Sequence, residues 1–294
     1  MNGVCLLDKP PEMTSFLCCA VMRRLLQEKK IGHAGTLDPM ATGVLPILVG
    51  KATRAMDLLP VQDKRYTASL RFGYTSDTLD VWGKLSPTGR PLPGLREIEQ
   101  ALEQFRGEIR QIPPMLSALK KDGVRLYDLA RQGIEIPREA RPITIHALQL
   151  VDYNPEEGVL TLDCLCSKGT YIRTLCDDLG AVLGCGAVMT SLRRTMAAGY
   201  DLTPCFTLDQ AKDWAQEGTL AQHVIPVSTL FASYPAVAVT APQAVRFRNG
   251  GALALERVRQ APSSGTVRVE DPNGLFLGLG YPADGELRVL KLFV

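Results

Sequence analysis

The sequence predicts an α+β protein that ends in a small β-rich domain. Two features predict the larger part: amphipathic helical stretches, and a hairpin in which "ITIHALQLVDY" and "VLTLDCLCS" alternate apolar and polar residues around the turn "NPEEG". After about Leu230 the pattern changes to short β-like runs separated by turns rich in Pro, Gly and Asn. A chain of 294 residues is long enough for one large and one small domain. We therefore expect a first domain over residues 1–230 and a second over residues 231–294.

Composition argues against several classes of protein. Lys and Arg number 33 and Asp and Glu 31, and the net charge of +2 does not by itself indicate a nucleic-acid partner. The longest apolar stretch, residues 43–50, is far shorter than the roughly 18 residues of a membrane span, and no signal peptide is evident at the start. The eight cysteines show no Cys-x-x-Cys spacing and there are three histidines, so we expect no metal site and no disulfide. We expect a cytoplasmic protein.

Local patterns predict the first elements. "GVCLLDK" predicts a buried strand, and Thr14 or Ser15 caps a helix that we expect to run to about Glu28. The buried face of this helix is predicted from apolar residues at helical spacing: Phe16, Leu17, Ala20, Val21, Leu25 and Leu26. "RYTASLRFG" alternates in the manner of a half-buried strand.

The middle of the chain predicts further helices and a basic excursion. "LREIEQALEQFRG" predicts an amphipathic helix that Gly107 ends. Residues 113–141 spread cations over turns and one short helix, which fits a mobile lid or finger and a solvated face equally well. After the hairpin, "GTYIRTLCDDLGAVLG" predicts a helix, "GAVMTSLRRTMAAGY" a strand and "LDQAKDWAQEG" a helix.

Three residues stand out as candidates for chemistry. Asp38 is the one carboxylate in "GHAGTLDPMATGVLP", although an Asp before Pro is also a common turn initiator. Arg173 lies in the first turn of a predicted helix, where a cation is disfavoured by the helix dipole and gains from a carboxylate partner; a plain surface cation is the alternative. Tyr66, taken alone, is most often a core aromatic.

The loop around Asp38 closely resembles the signature loop of the bacterial tRNA pseudouridine-55 synthases, the TruB family. Four more segments resemble that family in the same order, through about residue 200: "GVCLLDKP" with its Thr-Ser pair, "KRYTASLRFGYTSDTLD", "PPMLSALKKDGVRLYDLARQG" and "CSKGTYIRTLCDDLG". The tail is similar to a small PUA-type RNA-binding domain. One departure is Glu12, where the family usually has glycine. If the backbone there has a positive φ, Glu12 is strained.

The resemblance implies a fold and an activity. The fold is a mixed, mainly antiparallel sheet of the pseudouridine synthase type with flanking helices, an RNA-gripping insertion at about 113–141, and a barrel-like C-terminal domain. The activity is isomerisation of uridine 55 in the T-loop of tRNA to pseudouridine, by base flipping and an aspartate nucleophile, without cofactor or metal. The carboxylate can attack C1′ of the ribose or add to C6 of uracil, and both routes stay open. The alternative is a tRNA-binding and folding module without turnover.

The resemblance also assigns residues. It makes Asp38 the nucleophile, Tyr66 the aromatic stacked on the target base and Arg173 the ion-pair partner of Asp38. It adds three contacts to the displaced nucleotide or its loop: His33, Tyr171 and Leu192. Local cations are expected to meet the RNA backbone, in place of a high net charge: Lys9, Lys64, Lys120, Arg125, Arg193 and Arg194.

The expected partner is the T-arm stem-loop of tRNA, with no membrane. No guide RNA is expected, because the guided relatives carry extra terminal segments and this chain begins at the first motif. By resemblance we expect a monomer.

Overall fold

A computed structural model describes residues 1–121, 123–260 and 263–294. The strands, in chain order, are β1 (Gly3–Lys9), β2 (Ile31–His33), β3 (Thr42–Val49), β4 (Lys64–Phe72), β5 (Tyr74–Ser76), β6 (Leu85–Pro87), β7 (Gly107–Gln111), β8 (Lys120–Lys121), β9 (Val124–Arg125), β10 (Arg141–Asn154), β11 (Val159–Cys166), β12 (Ala187–Ala197), β13 (Ala236–Ala238), β14 (Leu253–Ala254), β15 (Val267–Glu270), β16 (Phe276–Ala283) and β17 (Glu286–Leu292). The α-helices are α1 (Ser15–Leu25), α2 (Leu95–Glu103), α3 (Leu126–Arg131), α4 (Ile172–Val182), α5 (Leu208–Gln216) and α6 (Ala241–Arg248). No helix in the described ranges is long and apolar enough to cross a membrane.

These elements form two compact units. The first consists of three segments of the chain: Met1–Pro39, Gly43–Val61 and Ala197–Val294. The second consists of Met40–Thr42 and Gln62–Met196. The predicted domain boundary between residues 230 and 231 stays a prediction.

In the first unit, β3 pairs antiparallel with both β1 and β2. Val4 and Leu48, which are register partners in β1 and β3, lie in the same buried apolar cluster as the rings of Phe231, Phe276 and Phe293. The N-terminal strands and the C-terminal segment of this unit therefore share one core.

Helix α1 differs from the sequence-based expectation in its end and in its face. It ends at Leu25 and not near Glu28, and Gln27 then has a φ of 51°, which no helix continues through. The buried side chains belong to Ser15, Cys18, Cys19 and Met22. Phe16, by contrast, is 71% exposed and Leu17 47% exposed. Residues 16–22 are all apolar, so their spacing does not select one face, and the predicted buried face was wrong.

The C-terminal part of the first unit is the predicted β-rich region. Its strands lie in the order β13-β15-β16-β17-β14, with β13 and β15 parallel and the other pairs antiparallel. Helix α6, which was not predicted, places Phe247 in the cluster that includes Val269 and Leu277. Its start was visible in the sequence, because Thr240 and Gln243 form a capping box.

In the second unit, the main strands lie in the order β12-β4-β11-β10-β7. The predicted hairpin is β10 and β11, with two register shifts along its length. Together with the flanking helices, this mainly antiparallel arrangement confirms the predicted α+β class. Helix α2 ends at Glu103, earlier than expected, and Gly107 with a φ of 84° begins β7 and does not end the helix.

The insertion contains the short antiparallel pair β8 and β9 and the two-turn helix α3. Lys120 and Arg125 are register partners in this pair, and both are exposed. Asp122, within the predicted insertion, lies outside the described residues.

Glu12 adopts the strained backbone conformation that its position in the sequence suggested. Its φ is 61°, in the left-handed region that costs a residue with a Cβ about 1–2 kcal/mol. Its side chain is exposed, so a substitution changes the backbone strain without disturbing a core.

We predict that Glu12→Gly raises the free energy of unfolding by about 0.5–1 kcal/mol, because relief of strain outweighs the extra entropy of glycine in the unfolded chain. Urea denaturation measures the change. Glu12→Ala is the control, since it removes the charge and keeps the strain. If both variants are stabilised equally, the charge of Glu12 and not its backbone is responsible.

Candidate active site

The loop that carries Asp38 is fixed just before the carboxylate by a buried hydroxyl. Ser15, the first residue of α1, donates from Oγ to the carbonyl of Leu37 at 3.1 Å, and the N–H of Leu37 donates to the same Oγ at 2.8 Å. Both residues are buried. Gly35, with a φ of 96°, makes the turn that leads into this segment. The N–H and the carbonyl of Leu37 are therefore both bonded to Ser15, at the N-terminus of α1.

Immediately after Asp38, the loop is fixed by a buried ammonium. Lys9 is fully buried at the end of β1, and its Nζ donates to the carbonyl of Pro10 at 2.8 Å and to that of Pro39 at 3.0 Å. A buried ammonium is costly unless carbonyls solvate it, so these bonds hold the chain in place. Lys9 therefore anchors the loop, and its predicted phosphate contact stays a prediction.

Arg173, in the first turn of α4, is also buried, at 5% exposure, so it is not a surface cation. Its guanidinium donates to the carbonyl of Thr78 at 3.1 Å and to that of Leu116 at 2.8 Å. Its Nε lies 4.0 Å from Oδ2 of Asp80. Arg173 thus links three segments of the second unit.

Asp80 is a residue that sequence reasoning missed. Its Oδ1 accepts from the hydroxyl of Thr78 at 2.6 Å and from the backbone N–H of Trp82 at 3.0 Å, while its other oxygen faces Arg173. Because two hydrogen bonds hold this buried carboxylate in place, it can in turn hold the guanidinium of Arg173 in place. The signal was the acid that ends "TSDTLD", within a segment already matched to the family.

Gln111 was missed as well. Its buried side-chain amide donates to the carbonyl of Tyr171 at 3.0 Å and accepts from the N–H of Tyr171 at 2.8 Å. Tyr171 is the N-cap residue of α4, so this pair of bonds ties the end of β7 to the helix that carries Arg173. Nothing in the local pattern of β7 distinguishes Gln111 from an ordinary strand residue.

The other predicted base contacts lie at defined places in the fold. Tyr66 is buried in β4, opposite Cys164 of β11, and Leu192 is buried in β12. His33 is the last residue of β2 and is half-buried.

The remaining predicted backbone contacts divide by exposure. Arg194 is fully buried, and its predicted phosphate contact stays a prediction. The pKa of Lys64 is lowered, mainly by burial and to a smaller extent by the nearby guanidinium of Arg194. Arg193 is half-buried and donates to Oγ1 of Thr42 at 3.2 Å.

Two predicted cations of the insertion remain available to solvent. Lys120 and Arg125 are exposed, and Arg125 donates to the hydroxyl of Tyr127 at 2.6 Å. The guanidinium groups of Arg125 and Arg131 both lie over the Tyr127 ring, 5.6 and 5.5 Å from its centre. Cations interleaved with an aromatic ring are typical of surfaces that bind single-stranded nucleic acid.

The structure brings Tyr171 and Arg173 together at the start of α4, with Gln111 and Asp80 as their respective partners in the second unit. Asp38, His33 and Lys9 belong to the first unit. The predicted ion pair between Asp38 and Arg173 stays a prediction.

Comparison with protein families decides the relationship. Residues 23–172 match the TruB family pseudouridylate synthase N-terminal domain. Residues 173–232 match the tRNA pseudouridylate synthase B C-terminal domain, and residues 235–293 match the pseudouridine synthase II TruB C-terminal domain. The chain belongs to the TruB family of pseudouridylate synthases. The resemblance given by the sequence motifs is confirmed.

Individual TruB relatives match nearly end to end. The tRNA pseudouridine synthase B of Ectopseudomonas mendocina (strain ymp) is 43% identical over 287 residues, 97% of this chain and 92% of that protein. The enzyme of the same name from Haemophilus influenzae is 43% identical over 282 residues, 95% of this chain and 89% of that protein. Among solved structures, a chain of a Cbf5-Nop10-Gar1 complex has a TM-score of 0.75 and 25% identity, covering 99% of this chain and 85% of that one.

We predict that Ser15→Ala loosens the loop without unfolding the sheet. Hydrogen exchange of the Leu37 amide should accelerate at least about tenfold, because the loss of a buried acceptor removes about 1–3 kcal/mol of local protection. Amides of β3 that bond to β1 serve as the internal control. Unchanged exchange at Leu37 would show that Ser15 does not hold the loop.

Proposed function

We propose that this TruB-family chain isomerises uridine 55 in the T-loop of tRNA to pseudouridine, with the base flipped out of its stack and Asp38 as the nucleophile. One observation carries the proposal: the two residues beside Asp38 are each fixed by a buried polar side chain, Ser15 on Leu37 and Lys9 on Pro39. A nucleophile needs such positioning to within a fraction of an ångström. Relatives 43% identical over almost the whole chain are named tRNA pseudouridine synthase B, which supports tRNA as the substrate.

The reaction breaks the N1–C1′ bond, turns the uracil, and forms a C5–C1′ bond. The C5 proton leaves and N1 gains a proton, so atoms and electrons balance without an oxidant or a second substrate. A carboxylate suits the first step because it can attack C1′, as in glycosidases, or add to C6. Tritium at C5 is released to water in either case, which makes turnover measurable.

The second unit supplies the other proposed groups. Tyr66 would stack on the flipped base, and Tyr171 and Leu192, together with His33 of the first unit, would contact the displaced nucleotide or its loop. Arg173, whose guanidinium is already oriented by two carbonyls and by Asp80, would pair with Asp38 and favour its charged form. Extraction of a base costs a few kcal/mol, and such contacts must offset that cost.

A second candidate is a module that binds and folds tRNA without turnover. The exposed cations around Tyr127 would serve either activity, whereas the fixing of the loop on both sides of Asp38 favours the enzyme. Guide-independent action is part of the proposal, so a bare T-arm stem-loop should be a substrate.

We predict that Asp38→Asn abolishes tritium release from tRNA or a T-arm stem-loop labelled at C5 of uridine, by at least about 10⁴-fold, since a neutral amide cannot act as the nucleophile. Asp57→Asn, an exposed site in the same unit, is the matched control and should retain activity. Turnover by Asp38→Asn would refute the assignment, and an inactive wild-type protein that still binds tRNA would favour the binding module.

We predict that Lys120→Gln with Arg125→Gln weakens tRNA binding and lowers the slope of log affinity against log salt by about 2, because each cation neutralises about one phosphate. Filter binding over a salt series measures both. Arg90→Gln with Arg96→Gln removes the same charge from exposed positions of the same unit and should leave the slope unchanged. Equal losses in both pairs would show a general charge effect and no contact by the insertion.

A further inference from the structure

The first turn of α1 presents exposed apolar side chains beside the loop that carries Asp38. Phe16 is 71% exposed and Leu17 is 47% exposed. Ser15, the residue before Phe16, bonds to both polar groups of Leu37, which immediately precedes Asp38. An exposed aromatic ring therefore lies one residue from the contact that fixes the candidate nucleophile, and all of these residues belong to the first unit.

The backbone that carries this ring is firmly held. Oγ1 of Thr14 caps α1 by accepting from the N–H of Leu17 at 3.0 Å, and the N–H of Cys18 donates to the carbonyl of Thr14 at 3.1 Å. The other face of the helix is buried through Cys18, Cys19 and Met22. A side chain on a backbone fixed in this way loses less conformational freedom when a partner binds.

The other end of α1 has a local excess of positive charge. Its last turn and the residues that follow contain four cations: Arg23, Arg24, Lys29 and Lys30. Glu28 is the one acid of residues 15–30, so four cations and one carboxylate give this segment a net charge of +3. The whole chain carries +2. A local cluster of this kind attracts a polyanion even though the protein as a whole is nearly neutral.

The cations stay at the end of the helix and are available to a partner. The N–H of Glu28 donates to the carbonyl of Arg23 at 3.3 Å, which keeps the chain beside the last turn of α1. Arg24, Lys29 and Lys30 are exposed, and within the described ranges their side chains have neither a hydrogen bond nor an ion pair. Cations of this kind are the ones that neutralise phosphates in protein–RNA complexes.

The apolar and basic ends are aligned along the helix. Leu17 and Arg24 are seven residues apart, about two helical turns, so both lie on one face with about 10 Å between them along the axis. Glu12, in the loop before α1, adds a negative charge at the aromatic end, which favours a neutral base over a phosphate there. The exposed residues of this surface, here called the α1 strip, are Phe16, Leu17, Arg24, Lys29 and Lys30.

RNA fits the α1 strip better than a second copy of the chain does. A symmetric dimer through this face would bring its cations close to the same cations of the other copy, which is unfavourable. Phe16 and Leu17 also offer too little apolar surface for a stable protein interface. In RNA, by contrast, unstacked bases pack on aromatic rings while the phosphates take the cations.

We propose that the α1 strip is a second RNA-binding surface, in addition to the insertion. An unpaired base of the tRNA stacks on Phe16, and neighbouring phosphates contact Arg24, Lys29 and Lys30. This inference rests on the proposed function, because a tRNA that brings a uridine to Asp38 passes beside Phe16. Phe16 positions the RNA and takes no part in bond breaking.

The aromatic end is tested with the full-length protein, by filter binding of an unmodified tRNA transcript and by tritium release. Phe16→Ala should weaken binding at least about fivefold and raise KM similarly, with kcat changed by less than about twofold, because stacking acts on binding alone. Phe16→Trp should keep the affinity, and its indole fluorescence should be quenched by tRNA beyond the quenching seen in the wild type. Leu95→Ala, which removes an apolar side chain 49% exposed in the first turn of α2, is the matched control and should bind normally.

The basic end is tested by the salt dependence of binding. Arg24→Gln with Lys29→Gln should lower the slope of log affinity against log salt by about 2, since each cation neutralises about one phosphate. Phe16→Ala should leave this slope unchanged, because it removes no charge. Arg90→Gln with Arg96→Gln again serves as the control that loses the same charge elsewhere.

Four results would overturn the proposal: unchanged affinity in Phe16→Ala, an equal loss in Leu95→Ala, no retention of affinity in Phe16→Trp, or an unchanged salt slope in the Arg24 and Lys29 double variant. Self-association that Phe16→Ala abolishes without any effect on tRNA affinity would identify a second copy as the partner and would also overturn it. An inactive wild-type protein whose tRNA binding depends on these residues would refute the isomerase and support the surface. Normal tritium release with no effect of these variants would refute the surface alone.

Discussion

The buried ammonium of Lys9 is the interaction on which the candidate site most depends. An ammonium taken out of water must be solvated by the protein, and here the carbonyls of Pro10 and Pro39 do so. The loop cannot move away from these positions without exposing an unsolvated charge. With Ser15 bonded to both polar groups of Leu37, the backbone on each side of Asp38 is determined by atoms outside the loop. Rigidity in this Gly- and Pro-rich segment is thus imposed largely by long-range hydrogen bonds.

In the second unit, Arg173 is likewise a buried cation whose charge is satisfied by groups of the protein. Two backbone carbonyls and Asp80 satisfy a guanidinium that helix α4 buries at its first turn, and Gln111 holds the residue that caps the same helix. These contacts fix the orientation of the guanidinium in the absence of substrate. A charge that is preorganised in this way does not have to be reoriented when a substrate binds. In both units, a cation that was predicted from the sequence to bind phosphate is buried in the fold, Lys9 in the first and Arg194 in the second, whereas Lys120 and Arg125 are exposed.

The sequence by itself determined the features that depend on neighbouring residues. Period-two alternation identified β4 and the β10–β11 hairpin, capping chemistry identified the start of α1, and the motif around Asp38 identified the TruB family. Tertiary structure decided the burial of Lys9 and Arg194, the face of α1 that packs, and the roles of Asp80 and Gln111. The reason is physical: whether a polar side chain is buried depends on partners distant in the chain, such as the carbonyl of Pro39 for Lys9, and no local period encodes them.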